Sequence, residues 1–309
     1  ALVVAPSSVV HNWINEAARF IPGMRTIHYG GQNRNHFSHY FENYDLIISS
    51  YGLVRNNSDL LKEFEFSYIV LDEAQVIKNP HSKTYKTLIS LSAENRLILT
   101  GTPIENSLSD LWAQMNFLNR GLLGGYEFFN REFIIPIEKN KDQDKTTALK
   151  RLIEPFVMRR TKAEVAPELP ELSKNLVYCE MTPAHLEFYE TEKSKVRNLL
   201  LENMTDPDRR NYSIMVLKSM TRLRLAANHP ALVDEGYADE SGKFETVIEN
   251  IQNLIAEKHK VLVFSSFVKH LTIFSSYCED IGIPYVMLTG SVPQAKREET
   301  ISRFTDDKD

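Results

Sequence analysis

Four apolar runs in the first hundred residues, each ending in small polar or acidic residues, set the tightest limit on the fold. Leu2-Val3-Val4 ends at Ala5-Pro6-Ser7-Ser8, and Leu46-Ile47-Ile48 ends at Ser49-Ser50. Tyr68-Ile69-Val70-Leu71 ends at Asp72-Glu73, and Leu97-Ile98-Leu99 ends at Thr100-Gly101-Thr102-Pro103. Short continuous runs rich in β-branched and aliphatic residues read as strands buried on both faces. Between them, Trp13, Ala17 and Phe20 recur with helical spacing, as do Tyr85, Leu88 and Leu91. Strands alternating with helices predict an α/β, doubly wound parallel sheet. Ligands of such sheets bind beyond the carboxyl ends of the strands. The adjacent carboxylates Asp72 and Glu73 therefore stand where chemistry is expected. One suits a magnesium ion, and the other can take a proton from an attacking water.

From about Ser109 the pattern turns helical. Leu111, Met115 and Leu118 form a stripe, and Phe128, Phe129 and Phe133 form a further apolar face. The polar run 138–145 reads as a loop, followed by a helix from about Thr147 to near Pro155. Residues 175–181 read as a returning strand. Thr182 then caps a helix whose first position is Pro183. A second helix runs through Ile214, Leu217, Met220 and Leu223 and stops near His229-Pro230. Residues 234–242 read as a linker. After it the α/β device returns, with strands expected at 261–264 and 285–288, the latter ending at Thr289-Gly290-Ser291. Two strands make an unfinished sheet, so a truncated second lobe is expected.

The formal net charge of −5 argues against a chain that binds nucleic acid by overall basicity. Local clusters such as Arg159-Arg160-Thr161-Lys162 and Arg222-Leu223-Arg224 still allow a basic groove. Cys179 and Cys278 match no zinc spacing, which suits a reduced, intracellular protein. No stretch has the length of a membrane span. The abrupt apolar start at Ala1 reads as a piece of a longer chain.

D-E-A-Q at 72–75, L-T-G-T-P-I-E-N at 99–106 and M-R-R-T-K at 158–162 follow one another along the chain. T-R-L-R-L-A-A-N-H-P at 221–230, S-G-K at 241–243, V-L-V-F-S-S-F at 261–267 and L-T-G-S at 288–291 complete the series. In this order the motifs resemble those of the Swi/Snf-type DNA translocases, superfamily-two helicase-like ATPases of chromatin remodelling and bacterial DNA transactions. The resemblance implies two RecA-like lobes flanking a nucleotide cleft, with helical insertions between them. It implies ATP and Mg2+ as cofactors, and double-stranded DNA as partner, held by its backbone with little sequence specificity. Other DNA-bound proteins are further partners it suggests. By resemblance Asp72 holds magnesium through water, Glu73 orients and activates the hydrolytic water, and Gln75 helps sense the nucleotide. Thr100, Gly101 and Thr102 couple the cleft to the DNA path. Pro6, Ser7, Ser50, Thr289, Gly290 and Ser291 match places where the lobes meet the DNA backbone. Arg159, Arg160, Arg222 and Arg224 match positions that brace the lobes or contact DNA.

The domain order expected from this is a first lobe over 1–118, a helical insertion and bracing segment over 119–174, a returning strand, helical protrusion and linker over 175–240, and the start of a second lobe over 241–309. The sequence departs from the family at three points. It contains no G-x-x-x-x-G-K-[ST] phosphate loop, since Gly242-Lys243 is followed by Phe244. It lacks the family's last motifs, which include an arginine that reaches the γ-phosphate. Ser266 and Thr289 stand where the family often has glutamine and aspartate. The parent is therefore expected to be an ATPase, and this chain alone is expected to be inactive. A non-catalytic scaffold that binds protein or DNA is the alternative. The expected location is cytoplasmic, at the nucleoid if bacterial, or nuclear if eukaryotic.

Overall fold

The computed structural model describes residues 1–30, 38–101, 107–170, 172–203, 209–237, 239 and 241–306. The chain divides into two compact units, Ala1–Leu169 and Pro170–Asp309.

The first unit is built on a five-stranded sheet in the order β2-β3-β1-β4-β5. Its strands are β1 (Leu2–Ala5), β2 (Thr26–His28), β3 (Leu46–Ser50), β4 (Glu65–Asp72) and β5 (Ser92–Leu99), and every pairing is parallel. The expected parallel sheet is thus the observed one. Every residue of β1 is buried, as its central place requires. Alternation along the strands divides the core in two. Leu2, Val4, Ile47, Ile69 and Leu71 face one layer of helices. That layer includes α2 (Tyr51–Asn56), α3 (Ser58–Lys62), α4 (Lys83–Ser90) and α5 (Leu108–Leu118). Val3, Ala5, Leu46 and Ile48 face the other way, beneath Val10, Trp13, Ile14 and Ala17 of α1 (Val10–Phe20). The connection out of β1 steps across the sheet in the opposite sense to those that follow. Right-handed crossovers then put α1 on the opposite face from α2 to α5. Each fully buried aliphatic side chain contributes about 1.5–3 kcal/mol.

Two details anchor the outer strands. Ser82 caps α4, its hydroxyl accepting from the Tyr85 N–H at 3.1 Å. Arg96 of β5 donates to the Leu91 carbonyl at 2.7 Å and the Phe117 carbonyl at 3.2 Å, and its guanidinium lies 4.9 Å over the Phe117 ring. Two expectations change. Phe20 shares the helical spacing of Trp13 and Ala17 but is 71% exposed, because it is the last residue of α1 and packs beside Arg19 instead of the sheet. The polar run 138–145 is mostly helical. A wide-pitched helical segment spans Asn130–Lys139 after α6 (Tyr126–Phe129), and α7 (Gln143–Ile153) begins after three intervening residues. Glu138 is engaged there, accepting from the Leu108 N–H at 2.7 Å. The short α8 (Lys162–Val165) is held by a capping box between Thr161 and Glu164.

The second unit is helical. Its elements are α9 (Pro183–Glu202), α10 (Arg209–Asn228), α11 (Gly242–Ala256), α12 (Val268–Ile281) and α13 (Gln294–Asp306). Thr182 caps α9 with Pro183 at its first position, as expected. Glu192 of α9 is buried and pairs with Arg222 of α10 and with Lys195. Gly242 opens α11 against the chain before α9, where an added Cβ would lie 2.0 Å from the Glu180 carbonyl oxygen. The expected strands at 175–181, 261–264 and 285–288 do not form, and these segments join no ladder. Strands exist by pairing, and a pair of four-residue runs carries too little ladder to hold itself. Leu262 and Phe264 are accordingly exposed.

Candidate functional site

Register brings the polar strand ends of the first unit to one edge. Ala5 is level with Ser50, Val4 with Leu71, and Asp72 with Leu99. The residues that follow are Pro6-Ser7, Tyr51, Glu73 and Thr100-Gly101, so four separate strands deliver their ends to a single row.

Both carboxylate oxygens of Asp72 are engaged. Oδ2 accepts from the Trp13 indole Nε1–H at 2.8 Å, and Oδ1 accepts from the Glu73 N–H at 2.9 Å. The Asp72 carbonyl accepts from the Tyr51 hydroxyl at 2.7 Å. Burial, then the charges of Asp72 and Glu73, push the Tyr51 hydroxyl well above the usual phenol range, so it stays a donor. Glu73 has left-handed backbone, φ 50° and ψ 54°, which turns the chain sharply as it leaves β4. Its side chain accepts from the Gln75 amide at 3.0 Å. The Gln75 side-chain Oε1 in turn accepts from the Thr100 hydroxyl at 3.3 Å. Asp72, Glu73, Gln75 and Thr100 therefore form one chain of contacts, all half-buried at the sheet edge. Gly101 is exposed beside them. Thr102 lies outside the described residues.

The other sites predicted from sequence separate into groups. Pro6 is half-buried and Ser7 exposed, in a turn where the Pro6 carbonyl accepts from the Val9 N–H at 2.9 Å. Ser50 is buried, and its hydroxyl caps α2 by accepting from the Leu53 N–H at 3.4 Å. Thr289, Gly290 and Ser291 belong to the second unit. There the Thr289 and Ser291 hydroxyls lie 2.9 Å apart, and Arg297 donates to the Thr289 carbonyl at 2.7 Å. His229 accepts from the Ala231 N–H at 3.1 Å, which makes it the cap of a short turn. Lys243 of the S-G-K motif donates to the Asn228 side chain at 2.8 Å. Trp13 and Tyr51 are the contacts that sequence reasoning missed. An indole and a phenol beside strand-end carboxylates were the signals available.

The Asp72 carboxylate uses one acceptor position on each oxygen, and a carboxylate offers about four. No group of three or more metal-ligating side chains occurs among the described residues. That donor set fits Mg2+, which keeps most of its waters and takes one or two carboxylates.

The SNF2-related domain model matches residues 1–232, and the helicase conserved C-terminal domain model matches 242–309. The chain belongs to the SNF2-related family. This SNF2-family chain is 31% identical over 98% of its length to a Bacillus subtilis protein named as an ATP-dependent helicase/translocase, YwqA, and spans 34% of it. It is 30% identical, over 98% of its length, to human SWI/SNF-related matrix-associated actin-dependent regulator of chromatin subfamily A member 1, of which it spans 30%. Among solved structures it is similar to the Sulfolobus solfataricus SWI2/SNF2 ATPase core in complex with dsDNA. Identity there is 35% and the TM-score 0.53, covering all of this chain and 65% of that one. The SNF2-family chain thus spans about a third of the length of the curated relatives named here. No described helix is long and apolar enough to cross a membrane.

Proposed function

We propose that the full-length protein carrying this chain is an ATP-dependent double-stranded DNA translocase, and that the β4 edge supplies its hydrolytic acids. One observation carries the reading: Asp72, Glu73, Gln75 and Thr100 are joined by hydrogen bonds at the carboxyl edge of a parallel sheet. Similarity to the Bacillus helicase/translocase, and to a Sulfolobus ATPase core solved in complex with dsDNA, supports it. Asp72 is the residue that would hold Mg2+, and the ion would supply charge neutralisation for the transferred phosphoryl group. Glu73 orients the attacking water and accepts its proton. Gln75 bridges Glu73 to Thr100, so movement of Thr100 reaches the base through a single amide, and Thr100, Gly101 and Thr102 are the residues we assign to coupling the cleft to the DNA path. Pro6 and Ser7 in the first unit, and Thr289, Gly290 and Ser291 in the second, contact the DNA backbone, which positions a protein without reading sequence; Ser50, buried with its hydroxyl capping α2, holds the start of that helix instead. The finer segments 1–118, 119–174, 175–240 and 241–309 are the parts we assign to lobe, insertion, protrusion and second lobe. The protein acts at the nucleoid or in the nucleus, according to its source.

Glu73→Gln in the full-length protein tests the site. The variant is expected to bind ATP with near-normal affinity and to lose hydrolysis by about 10²-fold or more. Undiminished turnover sinks the assignment of Glu73.

A further inference from the structure

A path of hydrogen bonds runs from the Pro6 turn to Asp72. The Val9 N–H donates to the Pro6 carbonyl at 2.9 Å, and the Trp13 N–H donates to the Val9 carbonyl at 3.2 Å. The Trp13 indole then donates to Asp72 Oδ2 at 2.8 Å. Pro6 and Ser7 leave β1 directly into this turn, and α1 starts at Val10, so Trp13 sits one helical turn beyond Val9, where the turn ends. The indole is held on its other side by the apolar face it shares with Val10, Ile14 and Ala17 over Val3 and Ala5. A packed ring transmits displacement of its helix, where a flexible side chain would absorb it. The opposite Asp72 oxygen is fixed by backbone, through the Glu73 N–H. Of the two contacts to the carboxylate, the one from Trp13 therefore moves with α1. Val9, at the start of α1, has no side-chain cap, so the helix entrance is held by the backbone bond from Val9 to the Pro6 carbonyl.

We infer that Trp13 is a positioning residue that couples the Pro6-Ser7-Ser8 turn to the Asp72 carboxylate, so that a DNA backbone docked at the turn sets the carboxylate for the metal–nucleotide complex. The inference rests on the reading of Asp72 as the metal-holding carboxylate. By linkage, a duplex that favours the aligned carboxylate tightens the metal–nucleotide complex, and the metal–nucleotide complex tightens the duplex by the same factor.

The test uses the full-length protein with Mn2+ as a paramagnetic probe and a non-hydrolysable ATP analogue, with and without a short DNA duplex. Mn2+ affinity is read by electron paramagnetic resonance. In the unsubstituted protein the duplex is expected to raise Mn2+ affinity. Trp13→Phe keeps the ring and removes the donor. It is expected to lower Mn2+ affinity about tenfold, the scale of losing a group that orients a metal ligand, and to abolish the enhancement by DNA. Trp13→His, which restores a ring N–H, is expected to recover part of the enhancement. A melting temperature of Trp13→Phe close to that of the unsubstituted protein separates loss of the donor from loss of the fold. Trp13→Phe with the same Mn2+ affinity and the same enhancement overturns the proposal. Asp72→Asn distinguishes the two levels: if it keeps full Mn2+ affinity, the reading of Asp72 fails, whatever Trp13 does.

Discussion

Glu73 combines two demands in one residue. Under the proposed function its carboxylate reaches the attacking water, while its backbone turns through the left-handed region. That conformation costs an L-residue with a Cβ about 1–2 kcal/mol, which glycine avoids. Glu73→Gly and Glu73→Ala both lose the carboxylate, so their difference isolates the backbone. We expect Glu73→Gly to be more stable than Glu73→Ala by about 1 kcal/mol, read from urea unfolding. Equal stability of the two would show that the turn is not strained. The acids themselves were legible in the sequence, because an apolar run that stops at Asp72-Glu73 states where a strand ends. Trp13 and Tyr51 were not. Trp13 was read as one member of a helical apolar stripe, and spacing does not reveal which rim of a ring carries a donor. Tyr51 follows Ser50 at a strand end, and its hydroxyl finds the Asp72 carbonyl through sheet order alone.

At the scale of elements, β1, β3, β4 and β5 announced themselves as continuous apolar runs, but only β1 and β3 are buried on both faces; β4 and β5 leave Tyr68, Leu97 and Leu99 exposed on one of theirs. β2 did not announce itself, since Thr26–His28 is three residues long and is a strand by virtue of its pairing with β3. The helix start at Pro183 was readable from its cap, whereas Gly242 was read as the end of a linker and is instead the first residue of α11. In the second unit, α11 and α12 pack through Phe244 and Phe274, whose rings lie 5.2 Å apart, and His270 is buried beside Phe274. Burial first, then the charges of His229 and Lys243, lower the His270 imidazole to about 4. Ser265 lies 3.4 Å from its Nδ1. His229 is itself lowered by burial and by His185. An unfolded histidine takes a proton near 6.5. Its folded pKa is depressed, so the neutral ring's contribution to stability is complete above about 6.5 and drains away as pH falls towards 4. Urea unfolding of the second unit is expected at lower denaturant at pH 5 than at pH 7.5. His270→Gln is expected to reduce that difference, and a pH-independent midpoint would contradict the assignment.

At the scale of the whole molecule, the charge balance and the proposed partner pull in opposite directions. A chain of net charge −5 must bind duplex DNA by local contacts, because its overall field repels a polyanion. Binding through several phosphate contacts should weaken by about 10³-fold between roughly 50 and 200 mM salt. A titration of the full-length protein across that range measures the slope. Affinity that is flat in salt would favour a scaffold that meets DNA through other proteins. The second lobe also belongs at this scale. Its apolar runs at 261–264 and 285–288 were readable as strands, yet a sheet is a property of a set of strands, and these two do not make one here.

The sheet order has a practical corollary for synthesis and handling. Among the described residues, β5 closes the sheet, and one side of its eight-residue backbone meets no neighbour. On the face away from α2 to α5, Tyr68 is 49% exposed, Leu97 46% and Leu99 37%. Glu94 guards the early half of that rim with charge, while Leu97-Ile98-Leu99 has no such guard. A bare strand edge with a greasy end is a template on which a second chain can register and stick. Self-association of this chain at high concentration should therefore begin at the end of β5 that adjoins Thr100, within reach of the row of strand ends where the candidate site lies.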